Sequence, residues 1–375
     1  MQAPSSTDPL AGLFSPINLN GVQLRNRFVM PGMQRGHCHN GAPLIALAEY
    51  YGRRAQGGVG LVIGESCAVD HVSATAQETA CHLNAATLYA WSLCVDAAHK
   101  GGAEMLLQLW HEGALRNPSD GHTLSPSGTA YPGHSGGHAA TIAELDELRT
   151  AYVRSALLAR SAGAAGIEVH ACHGYLLDQF LWEATNSRND PYGGPDMRNR
   201  VRFPAEIVAA IRAECGPGFL ISFRFSQWKQ YAYDAMIAPQ PEDLQIMLAA
   251  LKTAGVNVFH ASTRRFWVPP WPQSPLSMAG WTRKLTQLPT IAVGSVGLDR
   301  DVMESFSRED EAQAEVARSI SELATRFANG EFDMVAVGRS LIGDPEWVEK
   351  LRTGRLGEIR AFAKADIANL DAWEH

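Results

Sequence analysis

The sequence predicts an α/β protein: a closed (β/α)8 barrel, one domain over residues 1–375 with elaborated loops after the strands. Three observations lead there. Eight short β-rich runs alternate with longer amphipathic ones, which means parallel strands joined by helices. Most of those runs are continuously apolar, as suits strands buried on both faces. No GxGxxG follows the first run, which argues against a dinucleotide-binding doubly wound sheet.

The expected strands are Arg27–Met30, Val59–Gly64, Glu104–Leu109, Gly166–His170, Phe219–Phe225, Val256–Ala261, Thr290–Gly294 and Asp333–Gly338. Between them, "TIAELDELRTAYVRSALLARSAGAAG" reads as the clearest helix. Thr141 and Glu144 fit a capping box, Ile142, Leu145, Leu148 and Tyr152 form the apolar stripe, and Gly163 is the stop. Helices are also expected before Gly255, over Glu49–Gln56 and over Arg198–Glu214. Three long stretches exceed a minimal barrel: Asn117–Thr141, Thr263–Trp281 with its tryptophans, and the charge-dense Arg300–Gly330. The first two follow strands three and six, so they would sit over the C-terminal rim as lids.

Bulk properties narrow the partners. A net charge of −7 with interspersed signs argues against nucleic acid or an anionic membrane. "MQAPSSTDPL" has no apolar core of a signal peptide, and no uninterrupted apolar run would span a bilayer. Six cysteines (Cys38, Cys67, Cys81, Cys94, Cys172 and Cys215) form no CxxC pair, which points to reduced thiols in a cytoplasmic protein. Oligomeric state stays open, a homo-oligomer included.

In such a barrel the chemistry stands at the C-terminal strand ends. Pro31, Gly32 and Met33 follow strand one, Glu65 and Ser66 strand two, and Gln108, Trp110 and His111 belong to strand three. Strand four delivers His170, His173 and Tyr175, and strand five Arg224. Strands seven and eight end in Gly294-Ser295 and Gly338-Arg339. Glycines at those two ends let backbone amides approach a phosphate, and Arg339 could add a bidentate grip. Gln108 offers a donor and an acceptor to a uracil-like ring edge, and Arg224 would stabilise negative charge growing there. Together they suggest a flat heteroaromatic phosphate cofactor across the barrel mouth.

"EVHACHGYLLDQFLW" poses the remaining choice. His170 and His173 could bind zinc, but such a site needs a third protein ligand. Glu168 is expected to alternate away from His170, Asp178 to lie on the next helix, and Cys172 to be a small buried filler. Two core histidines are a second reading. The favoured one is a pair of N–H donors converging on a substrate oxygen, with no metal. Tyr175, protonated at neutral pH, would then be a proton donor. "HCH" at His37–His39 lies in a loop without a partner motif.

These residues resemble the Old Yellow Enzyme family of FMN-dependent ene-reductases. "NGVQLRNRFVM", "QLWHEG", "HACHGYLLDQFLWEATNSRNDPYGG", "RNRVRF", "VGSVG" and "VAVGRSLIGDPEW" carry the resemblance, from Leu13 to about Arg355. It implies bound FMN, with NADPH or NADH as hydride donor, and ping-pong reduction of the activated C=C bond of α,β-unsaturated carbonyl compounds. It implies that His170 and His173 bind the carbonyl and that Tyr175 donates the proton. Gln108 and Arg224 would contact the flavin ring, Gly294, Ser295, Gly338 and Arg339 its phosphate, and Pro31, Gly32, Met33 and Ser66 its surroundings. The family also contains amine and alcohol dehydrogenases; a metal-dependent hydrolase or a non-catalytic flavin sensor are further alternatives. With no cysteine after Cys215, the iron–sulfur cluster of one branch is not expected. The chain departs from the family at "PGM", at Gln34, in "LWHEGALR" and at Trp182, which with Trp110 and the Trp-rich loop suggests an aromatic-walled pocket.

Overall fold

The computed structural model describes residues 10–117, 121–301, 304–305 and 316–370. The residues 1–9 read for a signal peptide lie outside that set, as does part of the segment expected over Arg300–Gly330.

Eight parallel strands close into a barrel: β1 Phe28–Met30, β2 Leu61–Ala68, β3 Glu104–Trp110, β4 Gly166–His173, β5 Leu220–Lys229, β6 Val258–Ser262, β7 Thr290–Val293 and β8 Met334–Ala336. Each pairs with the next, and β8 returns to β1 through Val335 beside Phe28, which closes the ring. The expected strands are all present. β2, β4 and β5 run three or four residues beyond their apolar cores. Their polar ends, such as Ser66 and His173, still pair across the rim, where an apolar run no longer marks a strand.

The intervening helices are α1 Ile45–Gln56, α2 Leu88–Lys100, α3 Ile142–Ser161, α4 Arg202–Cys215, α5 Pro241–Ala254, α6 Met278–Thr286 and α7 Val316–Ala328. α3 has the expected capping box: Thr141 takes the Glu144 amide, and the Glu144 carboxylate takes the Thr141 amide. Gly255 ends α5 in the left-handed region at φ 115°. The helix expected over Arg198–Glu214 is broken at Val201 into Met197–Arg200 and α4. No helix among the described residues is long and apolar enough to cross a membrane.

The barrel interior changes character from bottom to top. A hairpin, Ile17–Leu19 with Val22–Leu24, turns at Asn20-Gly21, both at positive φ. Its Leu19 and Leu24 pack against Val29, Leu61, Leu106, Leu220, Val258 and Ile291, the lowest interior layer. One step of two along the strands, the interior becomes polar: Gln108, Glu168, Ser222 and His260, all fully buried, then His170, Arg224 and Ser262. An apolar plug below and a polar layer above is what aims this barrel's chemistry at one end.

Above the rim, the loop after β3 forms a short hairpin, Thr129–Tyr131 with His134–Ser135. The end of β5 folds into a tight turn closed by Lys229 and Ala232.

Candidate active site

A cavity of about 490 Å³ opens at the C-terminal end of the barrel. Of the residues singled out in the sequence, Pro31, Met33, His173, Arg224, Gly294, Ser295, Gly338 and Arg339 line it. Gly32, Ser66 and Gln108 lie just beneath. Arg224 donates to the Gly32 carbonyl at 3.2 Å, and a Cβ on Gly32 would come within 2.8 Å of Gln108. His170 and Tyr175 stand at the side, with ring centroids 5.2 Å apart, and His170 is 5.5 Å from His173. All thirteen therefore converge on one mouth.

The floor is a buried hydrogen-bond network centred on Glu168. Its carboxylate accepts from Gln108 Nε2 (2.8 Å), Ser222 Oγ (2.9 Å) and His260 Nδ1 (2.8 Å), while Gln108 Oε1 accepts from Ser66 Oγ (2.7 Å). This corrects the expected placing of Glu168. Residues two apart on a strand share a face, so Glu168 and His170 both point inward. Burial alone would raise the Glu168 carboxyl. His260, Arg224 and the Gln108 hydrogen bond outweigh it and hold the group down at about 2. His260 itself is pushed down by burial despite Glu168. Burial disfavours the imidazolium form of His260. The better description is a neutral imidazole donating Nδ1–H, with Arg224 supplying the positive charge.

Burial, then Arg224, pushes His170 down to about 3 and His173 well below the ordinary histidine value. Both are uncharged at neutral pH, so each ring presents one N–H and one lone pair. His173 Nε2 lies 2.9 Å from Ser262 Oγ, which also accepts from Arg224 Nη2 at 3.4 Å. With that serine oxygen accepting from Arg224, its hydroxyl can donate to His173 Nε2, leaving Nδ1–H as the imidazole donor. His173 sits at φ 65° and Gly174 at φ 93°. These two left-handed residues turn the chain sharply off β4 and return Tyr175 to the mouth. Burial raises the Tyr175 phenol to about 12, so it keeps its proton across the physiological range.

Cys172 is fully buried, as expected of a filler; its sulfur lies 3.7 and 3.8 Å from the two His170 nitrogens, in a cluster with His170 and His173. Near-equal distances to both nitrogens put the sulfur on the plane midway between them. The lone pairs of an imidazole point away from that plane, so nitrogen and sulfur do not share a coordination point as placed. The geometry therefore does not favour the metal alternative.

At the opposite corner, Gly294 has φ 141°, and a Cβ there would meet the Thr263 carbonyl at 2.5 Å. At Gly338 a Cβ would make only ordinary contacts, with Met33 Sδ at 3.5 Å and Pro31 Cγ at 3.8 Å. Arg339 is partly committed elsewhere: it donates to the carbonyls of Arg300 (2.9 Å) and Asp301 (3.0 Å) and to the Ser305 hydroxyl. Three of its five N–H groups face the loop after β7, so the two-pronged grip expected of it is reduced. With Arg339 so committed, a phosphate at this corner would depend chiefly on the backbone around Gly294 and Gly338. The buried Arg224 Nε has no partner among the described residues, which leaves a donor over the floor where a ring edge would lie.

The aromatic wall differs from the one expected. Trp110 stands edge-on to Tyr175 (5.2 Å), and Trp182 lies near the Lys229 ammonium (5.7 Å). Neither borders the cavity, and Trp271 packs edge-on to Trp281. Trp228 and Tyr231 line it instead. Trp228 lies four residues past Arg224 on β5 and lines the same cavity, beyond an irregularity in the β4–β5 register that plain alternation does not anticipate. Ser262 is two residues past His260, hence on the same face. Lys229 and Asp178 carried no local signal: they form a fully buried ion pair at 2.8 Å, and Asp178 also takes the Gly174 amide at 2.6 Å.

Comparison with known proteins bears on the family and the fold. The family model described as "NADH:flavin oxidoreductase / NADH oxidase family" matches residues 12–322. An NADH oxidase of Thermoanaerobacter brockii is 32% identical over 95% of this chain and 53% of its own length. A metal reductase of Desulforamulus reducens is 28% identical over 96% of this chain and 51% of its own. The chain thus spans about half the length of these two relatives. 12-Oxophytodienoate reductase 7 of Oryza sativa subsp. japonica is 27% identical over 91% of this chain and 88% of its own. Among solved structures, an old yellow enzyme homologue from Zymomonas mobilis superposes with a TM-score of 0.77 at 23% identity, covering 95% of this chain and 96% of that one. Morphinone reductase in complex with tetrahydroNAD gives 0.78 at 24%, covering 95% and 94%. At such identities these two speak for the shared barrel. The motifs, the barrel and the match over most of its length together make this chain a member of the NADH:flavin oxidoreductase / NADH oxidase family.

Proposed function

We propose that this protein binds FMN in the cavity and reduces the activated C=C bond of α,β-unsaturated carbonyl compounds at the expense of NADH or NADPH. The observation that carries the reading is the meeting of two uncharged imidazoles and a protonated phenol at the mouth opposite the glycine corner. FMN, when bound, carries hydride from the nicotinamide to the β-carbon of the alkene.

The residues divide the remaining work. His170 and His173 donate N–H bonds to the carbonyl oxygen and stabilise the charge that develops on it; because they are neutral, they bind without protonating it. Tyr175 gives its proton to the α-carbon. Gln108, oriented by Glu168 and Ser66, would hydrogen-bond the flavin ring, and Arg224 would offset negative charge on it. Pro31, Gly32 and Met33 would help hold the ring, and Gly294, Ser295, Gly338 and Arg339 would hold the phosphate. Trp228, tilted over His173 at 4.6 Å, walls the substrate side.

The test is the visible spectrum of the purified protein, with the released chromophore identified by mass. FMN near one per chain, bleached anaerobically by NADH or NADPH and restored by an enone, is the expected result. A colourless protein that fails to take up added FMN would refute the proposal.

A further inference from the structure

Tyr175 has a partner that no part of the motif names. Gln230 Nε2 donates to the Tyr175 phenol oxygen at 3.3 Å. Gln230 and Tyr231 are the two central residues of the turn that ends β5, closed by the Lys229 amide to the Ala232 carbonyl (3.1 Å) and the reverse bond (3.3 Å). The base of that turn is anchored by Lys229, which donates to Asp178, Ser226 and Gln227. Its tip is held across the mouth: Tyr231 stacks on Tyr131 at 5.2 Å and 17°, and Tyr131 stacks on His134 at 3.9 Å. Tyr131 and His134 belong to the hairpin after β3, so two loops meet over the cavity.

We propose that Gln230 is a positioning residue for the proton donor, and that the Tyr131–Tyr231 clasp holds it in place. This rests on reading Tyr175 as that donor. A phenol oxygen has one O–H and two lone pairs. An amide N–H entering one lone pair forces the O–H away from Gln230, and Trp110 and His170 flank the ring on its other sides. The same N–H stabilises the phenolate left behind when the O–H bond breaks and the new α-carbon C–H bond forms; water returns the proton afterwards. Opening the clasp would withdraw the amide, so loop closure and proton delivery are linked.

The experiment uses the FMN-loaded protein reduced by NADH without oxygen. Reoxidation by an enone, which needs a proton on carbon, is compared with reoxidation by ferricyanide, which needs none, and the ratio of the two rates is read. Tyr175→Phe should lower the ratio by about a hundred-fold or more. Gln230→Leu should lower it by about three- to ten-fold, the worth of one hydrogen bond. Tyr131→Ala should lower it in the same direction, acting through Tyr231 and Gln230. In the Tyr175→Phe background neither change should lower it further, which a general disturbance of the pocket would not reproduce. An unchanged ratio in Gln230→Leu, or an equal loss with and without Tyr175, would overturn the positioning role alone. An unchanged ratio in Tyr175→Phe would overturn the donor assignment and the clasp with it.

Discussion

Glu168 accepts three hydrogen bonds from buried donors, and its worth lies in having two acceptor oxygens and a full negative charge. Replacing it with Gln keeps the size but turns one oxygen into an N–H group, so at least one donor among Gln108, Ser222 and His260 faces another donor. Glu168→Gln is expected to cost about 1–3 kcal/mol, measured by urea unfolding, and to weaken FMN binding by freeing the Gln108 amide to rotate. A variant with wild-type stability and affinity would mean the network does not orient Gln108. Gly32 sets the distance between this network and the cavity. Its Cβ position lies 2.8 Å from both Gln108 Nε2 and the Gly64 carbonyl. Gly32→Ala must lift the loop after β1, and is expected to weaken FMN binding by roughly ten-fold or more, the equivalent of about 1–3 kcal/mol of overpacking. Fluorescence titration with FMN checks it.

At the scale of elements, the ends of β4 and β5 act as one unit. The Asp178–Lys229 pair joins the short helix Leu176–Leu181 to the β5 turn, and through the Gly174 amide it also fixes the left-handed step that presents Tyr175. Burial raises the Asp178 carboxyl to about 6, with Lys229 pulling it back, and burial lowers Lys229. Removing one partner strands the other charge: Asp178→Ala is expected to destabilise by about 3–5 kcal/mol, and the double variant Asp178→Ala, Lys229→Leu to recover much of it. Equal losses in single and double variants, read from denaturant unfolding, would mean that the packing rather than the charge pairing matters. The sequence placed Asp178 on a helix correctly, but a pair separated by 51 positions leaves no trace in local spacing.

At the scale of the whole molecule, burying histidines couples stability to pH. His111 is pushed down to about 3, first by burial, and His170 likewise, with His173 also lowered, against an ordinary value of 6.5. Below that ordinary value the unfolded chain takes up protons that the folded one refuses. The stability these neutral histidines allow is therefore complete above about pH 6.5 and is lost as the pH falls towards about 3. Each contributes a slope of up to about 1.4 kcal/mol per pH unit. Urea midpoints should fall steadily from about pH 7 to about pH 5, and His111→Asn should flatten the slope by one histidine's share. A midpoint independent of pH in that interval would show the imidazoles accept protons in the folded state.

The sequence by itself determined the barrel, the order of its strands and the thirteen positions that meet at its mouth, because strand ends and period-two faces are local properties. It also carried the family, through motifs that are contiguous in the chain. The inward face of Glu168 is legible by the same period-two rule, and the expectation that it alternates away misassigns it. The sequence did not reveal that Arg339 spends donors on the loop after β7, or that the aromatic wall is Trp228 and Tyr231 rather than Trp182. Nor did it pair Lys229 with Asp178 or Gln230 with Tyr175. Those facts depend on closing eight strands into a ring, which brings β3, β4 and β5 side by side and lets the loops after β3 and β5 touch. Only the tertiary structure decides such contacts, since each joins residues whose separation along the chain has no fixed relation to their distance in space.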